Sequence, residues 1–114
     1  MRFSVFLNAR SLSPAEDRKL MQDLEAHALL ASQSGFEAIF LPDHHFNGYM
    51  PVASDSFIFA GYLSAKMPHM HFGFSVVSVP LHHPVRFTER VNILDQLTDG
   101  KLLVASAPGP RPRK

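Results

Sequence analysis

The stretch "HFGFSVVSVPLHHPVRFTERVNILDQLTDGKL" (71–102) decides the fold. It opens with HFGFSVVSV (71–79), rich in aromatic and β-branched residues, which reads as a buried strand. Pro84 then starts a helical pattern over 84–100, with Phe87, Val91 and Leu94 on one stripe and Gly100 as its stop. KLLVA (101–105) begins another strand. Strands separated by a helix of this length pair in parallel through a right-handed crossover.

The same unit recurs upstream. RFSVFL (2–7) and FEAIFL (36–41) read as strands on either side of a helix that starts at SPAE (13–16). There the Ser13 hydroxyl can accept an orphan N–H, Pro14 suits the first helical position and Glu16 can reach back. Leu20, Leu24, Ala28 and Ala31 share one face of that helix, and Gly35 stands where a left-handed cap would end it. SDSFIFAGYLSAKM (54–67) reads as a further helix capped by Ser54 or Asp55. The order is β-α-β-α-β-α-β, with strands apolar on both faces as in a helix-covered parallel sheet. The repeat is architectural, not one of sequence.

The 114 residues, 46% of them hydrophobic, suit one small soluble domain. Arg111, Arg113 and Lys114 concentrate basic charge at the C-terminus; the remainder carries eight basic residues against ten acidic ones. That balance argues against a nucleic-acid partner, which needs a basic patch on the body. No cysteine is present, so disulfides, iron–sulfur clusters and thiolate zinc sites are excluded and a cytoplasmic location is expected. The N-terminus lacks a signal-peptide core, and FIFAGYL (57–63) is far shorter than the roughly 18 residues a membrane span needs.

In a parallel α/β sheet, ligands bind at the edge where the strands end. This rule sorts the seven histidines. His44 and His45 follow the second strand in IFLPDHHFNGYMP (39–51), and His82 and His83 follow the third, so both pairs belong to the functional edge. His69 and His71 begin the third strand at the opposite edge, and His27 lies within the first helix. A metal site built from His44, His83 and Asp43 is one reading, that of a metal-dependent hydrolase. Against it, tandem histidines on an extended chain alternate in direction and do not share one ion, so no metal is expected. By the same alternation only one of His44 and His45 faces the pocket. A further reading is that both histidines simply fix the loop, while His83 before Pro84 orients the helix start.

GFEAIFLPDHHF (35–46) and the 71–102 stretch, in this order and spacing, resemble the bacterial luciferase-like flavin-dependent monooxygenases. The likeness runs from about Arg2 to Leu102 and covers roughly the first third of a family member. It implies an α/β fold that is the first three to four βα units of a TIM (β/α)8 barrel, incomplete here, with residues 1–107 as the partial barrel and 108–114 as a Pro/Arg-rich tail. The implied chemistry uses reduced FMN, or the deazaflavin F420 in some relatives, with dioxygen to oxidise a small-molecule substrate through a flavin C4a-peroxide. A separate NAD(P)H-dependent flavin reductase is the implied partner, and a homo- or heterodimer the implied assembly.

The resemblance also carries residue roles. His44 matches the active-site histidine beside the reactive part of the flavin, where its task is proton management in a water-poor pocket. His45 is expected to face away, toward a subunit contact with Glu89 of a second chain. Ser75 and Val76 match the bulge on which the isoalloxazine ring rests, with a cis peptide expected between them, and Asn8 faces the same edge.

The chain departs from the family pattern after its fourth strand. In VASAPGPRPRK (104–114), Ala105 replaces an expected glycine, Pro108 stands where an arginine is expected, and only Gly109 is kept. Such a barrel runs to more than about 200 residues. The expectation is a chain cut short or shifted in frame, with open sheet edges that favour association and weak FMN binding on its own. A non-catalytic remnant or dimerisation module of the family is the other reading.

Overall fold

A computed structural model describes residues 1–45 and 54–108. Its elements are β1 (Ser4–Phe6), α1 (Pro14–Gln33), β2 (Ala38–Leu41), α2 (Ser56–Lys66), β3 (His71–Ser78), α3 (Pro84–Leu97) and β4 (Leu102–Ala107). A 3-10 turn, Val79–Leu81, separates β3 from α3. The strands form one parallel sheet in chain order, β1-β2-β3-β4, as the alternating pattern predicts. Gly109 and the rest of the tail to Lys114 lie outside the described residues. Among the described residues no helix is long and apolar enough to cross a membrane.

Local chemistry sets the helix ends, with one difference from the expected cap. Pro14 occupies the start of α1, but the Ser13 side chain makes no capping bond. Glu16 instead accepts from the backbone N–H of Leu12 at 3.0 Å, one residue further upstream than a capping box requires. Gly35 and Gly100 adopt φ of 86° and 72° just beyond α1 and α3, the left-handed conformation that a side chain resists.

Each face of the sheet has its own character. Val5, Ile39, Phe72 and Leu102 form one cross-strand row on the helical face, followed by Leu41, Phe74 and Val104. Ile39, Leu41, Phe72 and Phe74 are buried with Leu24 and Ala28 of α1, Phe57, Ala60 and Leu63 of α2 and Leu94 of α3. Phe57 stacks on Phe74 at a centroid distance of 4.2 Å. Burying each such side chain contributes about 1.5–3 kcal/mol, so this single core dominates stability.

The opposite face carries the row Phe6, Phe40, Gly73 and Leu103. Phe6 and Leu103 are exposed there, so this face is uncovered, as three to four βα units imply, although the strands are apolar enough in composition for burial on both sides. A Cβ on Gly73 would lie 2.5 Å from the ring of Phe40. Glycine at that position lets the Phe40 ring lie across β3. This one-sided arrangement is that of a barrel wall.

Candidate functional site

The C-terminal ends of the strands gather the titratable groups. β2 delivers Asp43, His44 and His45, and β3 delivers Ser75, Val76 and, through the 3-10 turn, His82. The pairing of β3 with β4 shifts register between Phe74 and Val77, which makes Ser75 and Val76 a bulge. Both residues are exposed, and the peptide between them is cis, as expected.

Asp43 is the hub of the rim. Its Oδ1 lies 2.8 Å from His45 Nε2, and its Oδ2 lies 2.9 Å from His82 Nε2. The backbone N–H of Ser78, two residues beyond the bulge, also donates to Oδ2 at 2.8 Å. The side chains of Asp43, His82 and His45 are 4%, 8% and 19% exposed, so this network is largely withdrawn from water. Burial pushes the Asp43 carboxyl up, but hydrogen bonds from His82, the Ser78 amide and His45 outweigh it and hold the group below its ordinary value.

Packing fixes the ring of His82. It sits 6.4 Å from the Phe57 ring and 5.7 Å from the Phe87 ring by centroid, between α2 and α3. It also meets the His45 ring edge-on at 5.9 Å. The Ser56 hydroxyl donates to the Pro42 carbonyl and so ties the first turn of α2 to the loop that carries Asp43.

The sequence-based expectations fare unequally. His44 is half-buried at the end of β2, on the expected edge. Asn8 is exposed just after β1, on the same edge. His45 turns onto Asp43 and onto His82, whose ring packs against Phe57 and Phe87 of the helical layer. Glu89 lies exposed on α3, 3.1 Å from Arg86.

The alternative metal trio of His44, His83 and Asp43 is not the one brought together; Asp43 instead meets His45 and His82, the other member of each tandem pair. Past Leu41 the chain leaves strand geometry, so strict alternation no longer orders the two neighbours. The turn at Val79–Leu81 then aims His82, not His83, at Asp43. His83 contributes its backbone carbonyl to the first turn of α3, accepting from Phe87 N at 2.9 Å. The role of His82 was missed in the sequence, although two His pairs placed after successive parallel strands were a sign of convergence.

A cavity of about 580 Å³ opens elsewhere, between α1 and α2, lined mainly by Met21, Ile58, Phe59 and Tyr62. None of Asp43, His44, His45, Ser75, Val76 and His82 lines it.

Comparison with known proteins agrees with this geometry. The oxygenating constituent of 3,6-diketocamphane monooxygenase from Pseudomonas putida, solved in complex with FMN, superposes with a TM-score of 0.85 at 13% identity. That match covers 98% of this chain and 30% of the other. A monooxygenase from Streptomyces bottropensis gives 0.84 at 23% identity, over 98% and 34% of the two chains. These likenesses identify the fold as part of a TIM barrel.

In sequence, limonene 1,2-monooxygenase of Rhodococcus erythropolis is 34% identical over 88 residues, 77% of this chain and 22% of that protein. The alkanal monooxygenase alpha chain of Photorhabdus laumondii is 28% identical over 101 residues, 89% of this chain and 28% of its own length. The chain thus spans less than a third of these curated relatives. The sequence model of the family described as luciferase-like monooxygenase matches residues 1–113. By that match, the chain belongs to the luciferase-like monooxygenase family.

Proposed function

We propose that this chain supplies the ring-contacting part of the flavin site of a monooxygenase. The observation that carries the reading is the exposed Ser75–Val76 bulge, set on the same strand ends as the buried Asp43–His82 network. A flat aromatic ring needs an apolar, open platform beside groups that can exchange protons. Val76 and the backbone of Ser75 offer the platform, and Asn8 lies on the same edge. The residues fit a flavin ring in chemical kind.

When bound, reduced flavin supplies the electrons that let dioxygen oxidise a small organic substrate. Reduced FMN is the favoured cofactor, with F420 as the alternative. The protein's own task is to exclude water and manage protons. His44 holds or accepts a proton beside the ring, and Asp43, fixed by three hydrogen bonds, anchors the loop that carries it. An NAD(P)H-dependent flavin reductase is the proposed source of reduced flavin. Support comes from the Acinetobacter baylyi relative, a flavin-dependent trigonelline monooxygenase named as an oxygenase component, 26% identical over 110 residues. The alpha and beta chains among the alkanal monooxygenases support a homo- or heterodimer, with His45 and Glu89 near the contact. A cytoplasmic location completes the reading.

Fluorescence titration with riboflavin and with FMN tests it. A site that holds the ring through these residues quenches both flavins with similar, weak affinity, because the phosphate has no designated partner here. Absence of quenching by either flavin defeats the reading and favours a non-catalytic assembly module.

A further inference from the structure

We infer that Asp43, His45 and His82 form a binding site for a borderline divalent transition-metal ion, with zinc as its probe. One donor atom from each residue lies within 4.8 Å of the others. Two imidazoles and one carboxylate are a donor set suited to such ions, and three protein donors leave a coordination position for water. This inference is independent of the flavin reading.

Three features separate this cluster from a chance surface grouping. First, the side chains are largely buried, with Asp43 only 4% exposed, so the donors are held in place before an ion arrives. Second, both histidines present the same nitrogen, Nε2, to the carboxylate, one to each oxygen. The protons shared across those two contacts are what a divalent ion replaces. Third, an outer shell exists: the Ser78 amide donates to Asp43 Oδ2, and the Phe57 and Phe87 rings flank His82. Outer-shell groups of this kind orient ligands and sharpen affinity.

Binding requires little movement. The N···O separations of 2.8 and 2.9 Å must widen by a few tenths of an ångström to admit an ion with bonds of about 2.0–2.1 Å to nitrogen and oxygen. The two rings must close toward one another from their edge-on contact at 5.9 Å. Tandem histidines on one strand do not share an ion, but these two come from different loops, which removes that objection. The ion then cross-links the loop after β2 to the turn after β3.

Zinc titration of the whole chain, followed by long-range 1H–15N spectra of the histidine rings, tests the site. The expected result is one equivalent of zinc at micromolar affinity, with the Nε2 signals of His45 and His82 shifting together. Replacing either ring, His45→Gln or His82→Gln, should weaken binding by about 100-fold, at or beyond the 10–100-fold known for outer-shell losses. His69→Gln and His83→Gln should leave it unchanged. The spectra use the unaltered protein, so they decide the matter even where a variant fails to fold. Shifts confined to other histidines, or no binding at micromolar zinc, overturn the inference.

Discussion

Asp43 and His82 lie 39 positions apart in sequence, yet their Oδ2 and Nε2 atoms stand 2.9 Å apart at the rim of the sheet. This contact joins the loop after β2 to the turn after β3, across two strands that are already paired in parallel. The same carboxylate holds the Ser78 amide and His45. One buried side chain therefore sets the relative height of both loops, and with it the position of the residues that follow β2.

Removal of that hub should be costly. Asp43→Ala leaves the Ser78 N–H and two imidazole nitrogens without their acceptor in a largely buried site. Breaking a buried, hydrogen-bonded pair by deleting one partner costs about 3–5 kcal/mol. Urea unfolding should show a loss in that range, with Asp43→Asn losing less because one acceptor oxygen remains. A loss under about 0.5 kcal/mol, typical of an unremarkable surface change, would refute the role given to Asp43.

The same contacts predict a specific acid dependence. Hydrogen bonds from His82, Ser78 and His45 hold the Asp43 carboxyl below its ordinary value of 3.8 despite its burial. The native state therefore binds fewer protons at this group than the unfolded chain does in that acid range. The stabilisation is complete above 3.8 and disappears as pH falls through the lower native value. Stability curves of wild type and Asp43→Asn should run parallel above 3.8 and converge below it. A gap that stays constant through this range would show that the carboxyl does not titrate differently in the two states.

A steric prediction concerns the open face. At Gly73 an added Cβ would lie 2.5 and 2.7 Å from Phe40 ring atoms and 3.1 Å from the Leu103 carbonyl oxygen. Gly73→Ala should therefore cost about 1–3 kcal/mol, the usual range for an overpacked site. Phe40→Ala in the same chain should recover part of the loss, since the ring is the nearer obstacle. Thermal unfolding of both single variants and the double variant measures this coupling. Strictly additive losses would mean that Phe40 and Gly73 do not interact.

The sequence revealed the fold more readily than the site, for a physical reason. Pro14, Gly35, Pro84 and Gly100 mark helix ends through constraints on their own backbones, so a linear reading finds them. The parallel order follows from helices placed between strands, and the edge that collects the histidines follows from that order. Which histidine faces Asp43 depends on two non-strand segments, residues 42–45 and the turn Val79–Leu81, whose dihedral angles no periodicity encodes. Strand alternation therefore does not extend to His45, and no local pattern marks its meeting with His82 at Asp43. The bareness of the inner face follows from the small number of βα units and not from residue type, since Phe6 and Leu103 look like core residues by type alone.

The last prediction separates the folding role of β3 from its proposed flavin role. Phe74 and Val76 are close neighbours on this strand, but Phe74 is fully buried against Phe57 while Val76 is 40% exposed on the bulge. Phe74→Ala should cost about 3–5 kcal/mol through lost burial and an unfilled cavity. Val76→Asp should change stability by no more than about 0.5 kcal/mol, because solvent already reaches that side chain. If the bulge supports a flavin ring, Val76→Asp should nonetheless abolish riboflavin quenching, since it sets a hydrated carboxylate where an apolar surface is needed. Circular dichroism and flavin fluorescence on one preparation distinguish the two effects. Native stability together with undiminished quenching would remove Val76 from the flavin site, while joint loss of stability and quenching would assign the bulge to folding.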